Sequence, residues 1–382
     1  MPTYLLIDDD IGAAEDATLY AEALQKASDG TLTVDTLKPD TLPKTLEAIA
    51  QRKPDGLLLD VALTNALTDQ KEQVGFDGIA LAQQVRTLQT RGRATGAAAL
   101  SEFPIIRFSK KDVIREYVNE DPTSDDLFDE MIDKGELLDS AAHAASRALS
   151  LAEDYPRVVA LAKSEMDESA LSEVLGCNPD FLLRLDPRTL LGLRRQGAPA
   201  HALARYFTAK LLARPGPLVD HDLLAVRLGV DSEKSEAWPK LMEMLAPARY
   251  GGAFGGGYPR WWWPAVIDWW QEKIDSEHLP NRLAATERID ALSAALGFAG
   301  GVVPLAQDED SPGERFWHIC YRSGRPVDPA QGFALLPMYG QESWQDADYL
   351  CLEEAMRDPR NPRLGPPERS RLAARLSAKT AR

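Results

Sequence analysis

Three aspartates, Asp8, Asp9 and Asp10, follow directly on the apolar run at residues 4–7. Carboxylates crowded at a strand end repel one another, and any that is buried also loses hydration. A divalent cation would compensate. Three more residues of chemical interest end apolar runs within the first 150 positions: Asp60 after "GLLL", Ser109 after "PIIRF" and Lys134 after "EMID". If these runs are strands of one parallel sheet, Asp8, Asp9, Asp60, Ser109 and Lys134 meet at its carboxyl edge. Two or three carboxylates suit Mg²⁺, which takes hard oxygen ligands and keeps some waters. A carboxylate beside Mg²⁺ can attack phosphorus and become an aspartyl phosphate. The metal, a hydroxyl and a lysine would then neutralise the phosphoryl oxygens during transfer. The structural alternative is that Asp9 or Asp10 only caps the helix that follows.

The elements needed to carry these residues are visible in the patterning. "TYLLI", "DGLLLDVAL", "FPIIRFS" and "DLFDEMIDK" read as strands. Residues 11–28, "FDGIALAQQVRTL" and "LLDSAAHAASRALSLAED" have apolar residues at helical spacing. Strands alternating with helices imply a parallel sheet covered on both faces.

On these residues the first 150 positions resemble the receiver domain of two-component response regulators. "LLIDDD" is similar to the family's first strand with its acidic pair, here Asp8 and Asp9. "PDGLLLDVAL" resembles the phosphoacceptor strand, with Asp60 as acceptor, and "GFDGIALAQQVR" the start of the third helix. Ser109 and Lys134 match the hydroxyl and lysine positions. The resemblance implies a doubly wound, five-stranded parallel α/β sheet and a metal set of Asp8, Asp9, Asp60 and the Ala62 carbonyl around Mg²⁺. It also implies a partner histidine kinase or phosphotransfer protein. The chain would be a phosphoacceptor rather than an enzyme, apart from autodephosphorylation. The sequence departs from the family pattern in four places. The loop after Asp60 and the segment before "FPIIRFS" are long, Gly135 rather than proline follows Lys134, and Met131 stands where a switch aromatic is common. Lys110 and Lys111 offer a second lysine position and read as solvated side chains, as does His143 on its helix.

The 382 residues suggest further domains. Residues 151–214 read as a helical linker domain and 215–295 as a winged-helix-like module. In that module "DLLAVRLGVDSEKSEAW" gives helix, Gly229 turn and second helix, and "YGGAFGGGYP" a flexible wing. Residues 296–382 read as a small α+β domain ending in a basic tail. Trp262, Val266, Trp269 and Trp270 could share one helical stripe, as core or as a partner-binding patch. His318 and Cys320 lie too close along one strand to face each other as a nucleophile pair.

The net charge of −16, with most of the excess in residues 1–150, argues against general nucleic-acid affinity. Glu233, Glu236 and Glu243 offset the lysines of the second helix of the winged module, which favours a protein contact there. A DNA-binding transcription regulator and a non-phosphorylated scaffold remain the alternatives. Three dispersed cysteines predict neither a disulfide frame nor a zinc site. With no long apolar run and no basic, apolar leader, a cytoplasmic protein without a membrane span is expected. By fold-level analogy alone, atypical receivers fused to unfamiliar modules occur in bacterial phosphorelays, including anti-phage defence.

Overall fold

The computed structural model describes residues 1–11, 17–95, 100–110, 122–197, 199–298, 300–307 and 312–380. Lys111 lies outside them, as do residues 12–16 of the first expected helix. The chain forms two compact units: Met1–Ala213 with Gly251–Tyr258, and Arg214–Tyr250 with Pro259–Arg382. The segments expected at 1–150 and 151–214 fall in the first unit, apart from Arg214. Those at 215–295 and 296–382 fall in the second, apart from Gly251–Tyr258.

The first unit is built on β1 (Thr3–Ile7), β2 (Thr33–Leu37), β3 (Gly56–Leu59), β4 (Ile105–Ser109) and β5 (Glu130–Asp133). All neighbours pair in parallel, in the order β2-β1-β3-β4-β5. Helices α1 (Ala17–Ala27), α2 (Leu42–Arg52), α3 (Gly78–Thr95) and α4 (Leu137–Ala162) connect or follow the strands. The apolar runs of β1 and β3 are uninterrupted because both sheet faces are covered at these strands. Leu5, Ile7, Leu57, Leu59 and Ile105 pack with Ile49 of α2 and Leu81 and Val85 of α3. On the other face the Tyr4 hydroxyl donates to the Ala148 carbonyl of α4 at 2.8 Å, and Tyr20 of α1 meets Phe108 edge-on.

Two boundaries differ from the sequence reading. Strand β2 carries "TVDTL", whose polar alternation lacks the buried-strand signature because it is an edge strand. The expected break at residue 150 lies inside α4, which continues past Pro156 to Ala162. Its buried stripe, including Leu151, Tyr155, Val158 and Leu161, persists through the proline. Packing along that stripe offsets the one lost backbone donor. Short helices α5 (Glu168–Leu175), α6 (Pro179–Leu182), α7 (Pro187–Gln196) and α8 (Ala200–Arg205) follow, then a π-helical turn at Tyr206–Leu212.

In the second unit, α9 (His221–Leu228) is capped by Asp220, whose carboxylate accepts from the Leu223 N–H at 2.9 Å, and it ends at Gly229 in the left-handed region. The next helix, α10 (Trp238–Met244), starts late, with Pro239 in its first turn. The residues flanking the expected wing pair antiparallel, Arg249 with Trp261, and the Tyr250 N–H donates to the Arg260 carbonyl at 2.8 Å; Trp261–Trp262 pairs in turn with Leu218–Val219. Between them Gly251–Tyr258 forms turns packed within the first unit. Glycine is needed there for close approach: a Cβ on Gly257 would lie 2.7 Å from the Arg147 Cα. Trp262, Val266 and Trp270 are core residues, with Trp269 packed against them.

The basic tail folds onto its own unit. Helix Pro366–Thr380 directs Arg371 to the carbonyls of Ala330 and Gly332, and Arg375 to Gln331. His318 stacks on Tyr349 with ring centroids 4.2 Å apart, while the Cys320 thiol accepts from the Cys351 N–H at 3.3 Å. Among the described residues no helix is long and apolar enough to cross a membrane.

Candidate functional site

The register of the parallel sheet brings the strand ends level. Ile7 pairs with Leu59, and Ser109 with Asp133, so the next residues along β1, β3 and β5 emerge at the same edge. The Asp60 N–H donates to the Ile7 carbonyl at 3.0 Å, which locks the phosphoacceptor candidate beside the acidic pair. In a doubly wound sheet this carboxyl edge is where ligands bind.

Side chains converge there as follows. The Ser109 hydroxyl donates to Asp60 Oδ1 at 2.7 Å. Lys134 Nζ donates to Asp8 Oδ2 at 2.6 Å and also to Asp60 Oδ2. Asp8, Asp60, Ser109 and Lys134 are all buried, and Asp9 is half-buried. One oxygen from each of Asp8, Asp9 and Asp60 lies within 4.8 Å of the others. Ala62 stands at the rim and its N–H donates to Asp60 Oδ1 at 3.3 Å. Lys110 is exposed, so the lysine in the site is Lys134; His143 is exposed on α4.

The electrostatics follow from burial set against pairing. Burial pushes the Asp60 carboxyl up and the Asp8 charge adds to this, against the pull of Lys134. Burial alone would lower Lys134, but Asp60 and Asp8 outweigh it and hold the ammonium charged. Asp9 is pushed up to about 6, first by burial and then by Asp10, Asp60 and Asp8. A cluster with this surplus of negative charge and three convergent hard oxygens fits a small divalent cation such as Mg²⁺.

Two positioning residues, Asn65 and Gly78, escaped the sequence reading, and a third, Asp10, figures there only as part of the acidic cluster or as a helix cap. Asn65, in the long loop after Asp60, hydrogen-bonds the Asp9 carboxylate. That loop is ordered because Ala66, Val74 and Phe76 bury into the core of the sheet. Gly78, the first residue of α3, abuts Asp60: a Cβ there would lie 1.9 Å from the Asp60 carbonyl oxygen. The Asp10 N–H donates to Asp8 Oδ1 at 3.1 Å, so the third aspartate serves the site through its backbone. Only Gly78 had a usable signal, a glycine opening a helix right after Asp77, whose carboxylate accepts from the Ala80 N–H at 2.7 Å. At the position of the expected switch aromatic, Met131 lies with its sulfur 2.6 Å from the Arg107 guanidinium.

No protein-family model matches the chain, and no curated protein matches it. Solved structures similar to its first two-fifths include a CheY-like response regulator receiver domain from Methylobacillus flagellatus. That domain is 16% identical, with 37% of this chain and 92% of that chain covered and a TM-score of 0.24. The receiver domain of NtrX from Brucella abortus is 22% identical, with 38% and 97% covered and a TM-score of 0.25. The N-terminal domain of the nisin resistance regulator NsrR is 16% identical, with 39% and 98% covered and a TM-score of 0.24. The fold itself is read from the strand order, the all-parallel pairing and the helices on both faces. By that order, the amino-terminal region of this chain has the fold of a response-regulator receiver domain.

Proposed function

We propose that the chain is a phosphoacceptor response regulator whose Asp60 receives a phosphoryl group from a histidine kinase or a histidine-containing phosphotransfer protein. The observation that carries this reading is the shared geometry around one carboxylate. Asp60 accepts from the Ser109 hydroxyl and from Lys134, and stands against Asp8 and Asp9. In the transfer, an Asp60 oxygen forms the new O–P bond as the donor P–N bond breaks, and the departing imidazole takes up a proton. Ser109 and Lys134 are placed to follow charge onto the phosphoryl oxygens, as a hydroxyl donor and an ammonium. Mg²⁺, held by Asp8, Asp9, Asp60 and, by family likeness, the Ala62 carbonyl, would supply a fixed positive charge for the same oxygens. The second unit would serve as the output or protein-contact module.

Intact-mass analysis of the full chain after incubation with acetyl phosphate and Mg²⁺ tests the proposal. The expected result is one phosphoryl adduct that is lost on base treatment and absent in Asp60→Ala. No adduct on the wild-type chain would overturn it in favour of a non-phosphorylated scaffold.

A further inference from the structure

The glycine-rich segment Gly251–Tyr258 belongs to the first unit although its neighbours on both sides belong to the second. The chain passes between the units at three points, Ala213 to Arg214, Tyr250 to Gly251 and Tyr258 to Pro259. Two of the three flank this strap.

The strap is closely seated. The Ala253 N–H donates to the Val174 carbonyl at 2.8 Å and the Phe254 N–H to Asp154 Oδ2 at 2.7 Å. The Ser146 hydroxyl donates to the Gly256 carbonyl at 3.2 Å. Phe254 is fully buried edge-on against Phe207, and its φ of +65° is a conformation a side-chain-bearing residue holds only when its surroundings over-determine it. At the far end of the strap, the Tyr258 hydroxyl donates to the Glu130 carboxylate, and the Arg147 guanidinium lies 4.9 Å over the Tyr258 ring and 3.7 Å from Glu130.

Glu130 is the first residue of β5, and Lys134 follows its last. One short strand, about 13 Å long at the usual rise, therefore has Lys134, the ammonium paired with Asp60, at one end and the strap anchor at the other. It is an edge strand, paired only with β4, so a displacement along it meets restraint from one side of the sheet alone. A phosphoryl group on Asp60 replaces one carboxylate charge with nearly two, a net gain of about one, and brings three acceptor oxygens within reach of Lys134. The lysine now divides its bonds between Asp8 and Asp60, and it would have to redistribute them.

We infer that the Tyr258–Glu130 contact is the coupling by which the phosphorylation state of Asp60, carried along β5 from Lys134, alters the strap and through it the covalently continuous second unit. The inference rests on the reading of Asp60 as phosphoacceptor. Phosphorylation shifts the strap between a seated and a less seated arrangement. A chain without the Tyr258 hydroxyl has lost the element that distinguishes the two.

The second unit reports on itself, because all eight tryptophans of the chain lie in it. Tryptophan emission of the full-length protein is compared before and after treatment with acetyl phosphate and Mg²⁺, with phosphoryl occupancy read on the same samples by intact mass. The wild type is expected to change its emission on phosphorylation. Tyr258→Phe is expected to reach the same occupancy and lose that change. Tyr258→Ala, checked for folding by circular dichroism, serves as a second variant with the same expected loss. Equal occupancy with an emission change in Tyr258→Phe as large as in the wild type overturns the inference, as does an occupied wild type with no change at all. An unoccupied wild type overturns the reading of Asp60 itself and the coupling with it.

Discussion

Lys134 Nζ lies 2.6 Å from Asp8 Oδ2 while also donating to Asp60, so one buried ammonium holds together carboxylates that follow two different strands. This arrangement answers the problem posed by an acidic cluster on a buried strand end. The lysine pairs with two of the carboxylates and offsets one of their charges, and the third, Asp9, stays half-buried with its carboxyl pushed up to about 6.

Replacing that lysine leaves two buried carboxylates facing each other. Lys134→Met is expected to lower the stability of the first unit by about 3–5 kcal/mol at neutral pH, the usual cost of breaking a buried pair. Because a divalent cation can take over part of the neutralisation, added MgCl₂ should raise the melting temperature of the variant more than that of the wild type. Thermal unfolding with and without MgCl₂ checks both statements; equal Mg²⁺ responses would count against a metal site at these residues.

Gly78→Ala places a methyl group where the Asp60 carbonyl oxygen already stands. Both partners are backbone, so neither can swing aside, and the Asp60 peptide must move. A loss of about 1–3 kcal/mol is expected for such overpacking, together with slower adduct formation on Asp60. Urea unfolding and the time course of the mass shift measure the two effects separately.

Arg86 and Asp129 form a second buried pair away from the acidic edge, at 2.6 Å with side chains 3% and 0% exposed. Arg86 also donates to the carbonyls of Leu127 and Phe103 and to Tyr155. Arg86→Ala is expected to cost about 3–5 kcal/mol, and Arg86→Met with Asp129→Leu to recover much of it. Chemical denaturation of the single and double variants tests this; a double variant as weak as the single one would show that the pair is needed in itself.

His201 should make the first unit sensitive to acid. Burial, and then the charges of Arg86 and Arg205, push its imidazole from the ordinary 6.5 down to about 3. The unfolded chain therefore binds a proton at His201 over a range in which the folded chain does not. Its contribution to stability is fully present above 6.5, and declines as pH falls from 6.5 towards about 3. His201→Gln should flatten the pH dependence of urea unfolding across that window; an unchanged slope would refute the assignment.

Much of the receiver-like region is legible in the chain because its signals are local. Runs such as "GLLL" and "IIRFS" are buried throughout because both faces of the strand are covered, and each leads to a polar residue of the acidic edge, Asp60 or Ser109. The edge strand β2 was not legible, since one-sided burial leaves no apolar run. The limit of α4 was hidden by Pro156, which usually breaks a helix and here is carried by packing.

Residue types alone determined that carboxylates, a hydroxyl and a lysine end successive strands, and that the chain is acidic with a basic tail. Only the tertiary structure decided that Lys134 rather than Lys110 reaches Asp8 and Asp60, that the tail arginines bond within their own unit, and that the glycine-rich segment is seated in the first unit. The reason is physical. Hydrophobic periodicity is written into neighbouring residues, whereas the partner of a long charged side chain and the surface beneath a glycine run depend on elements 39 to 128 residues away.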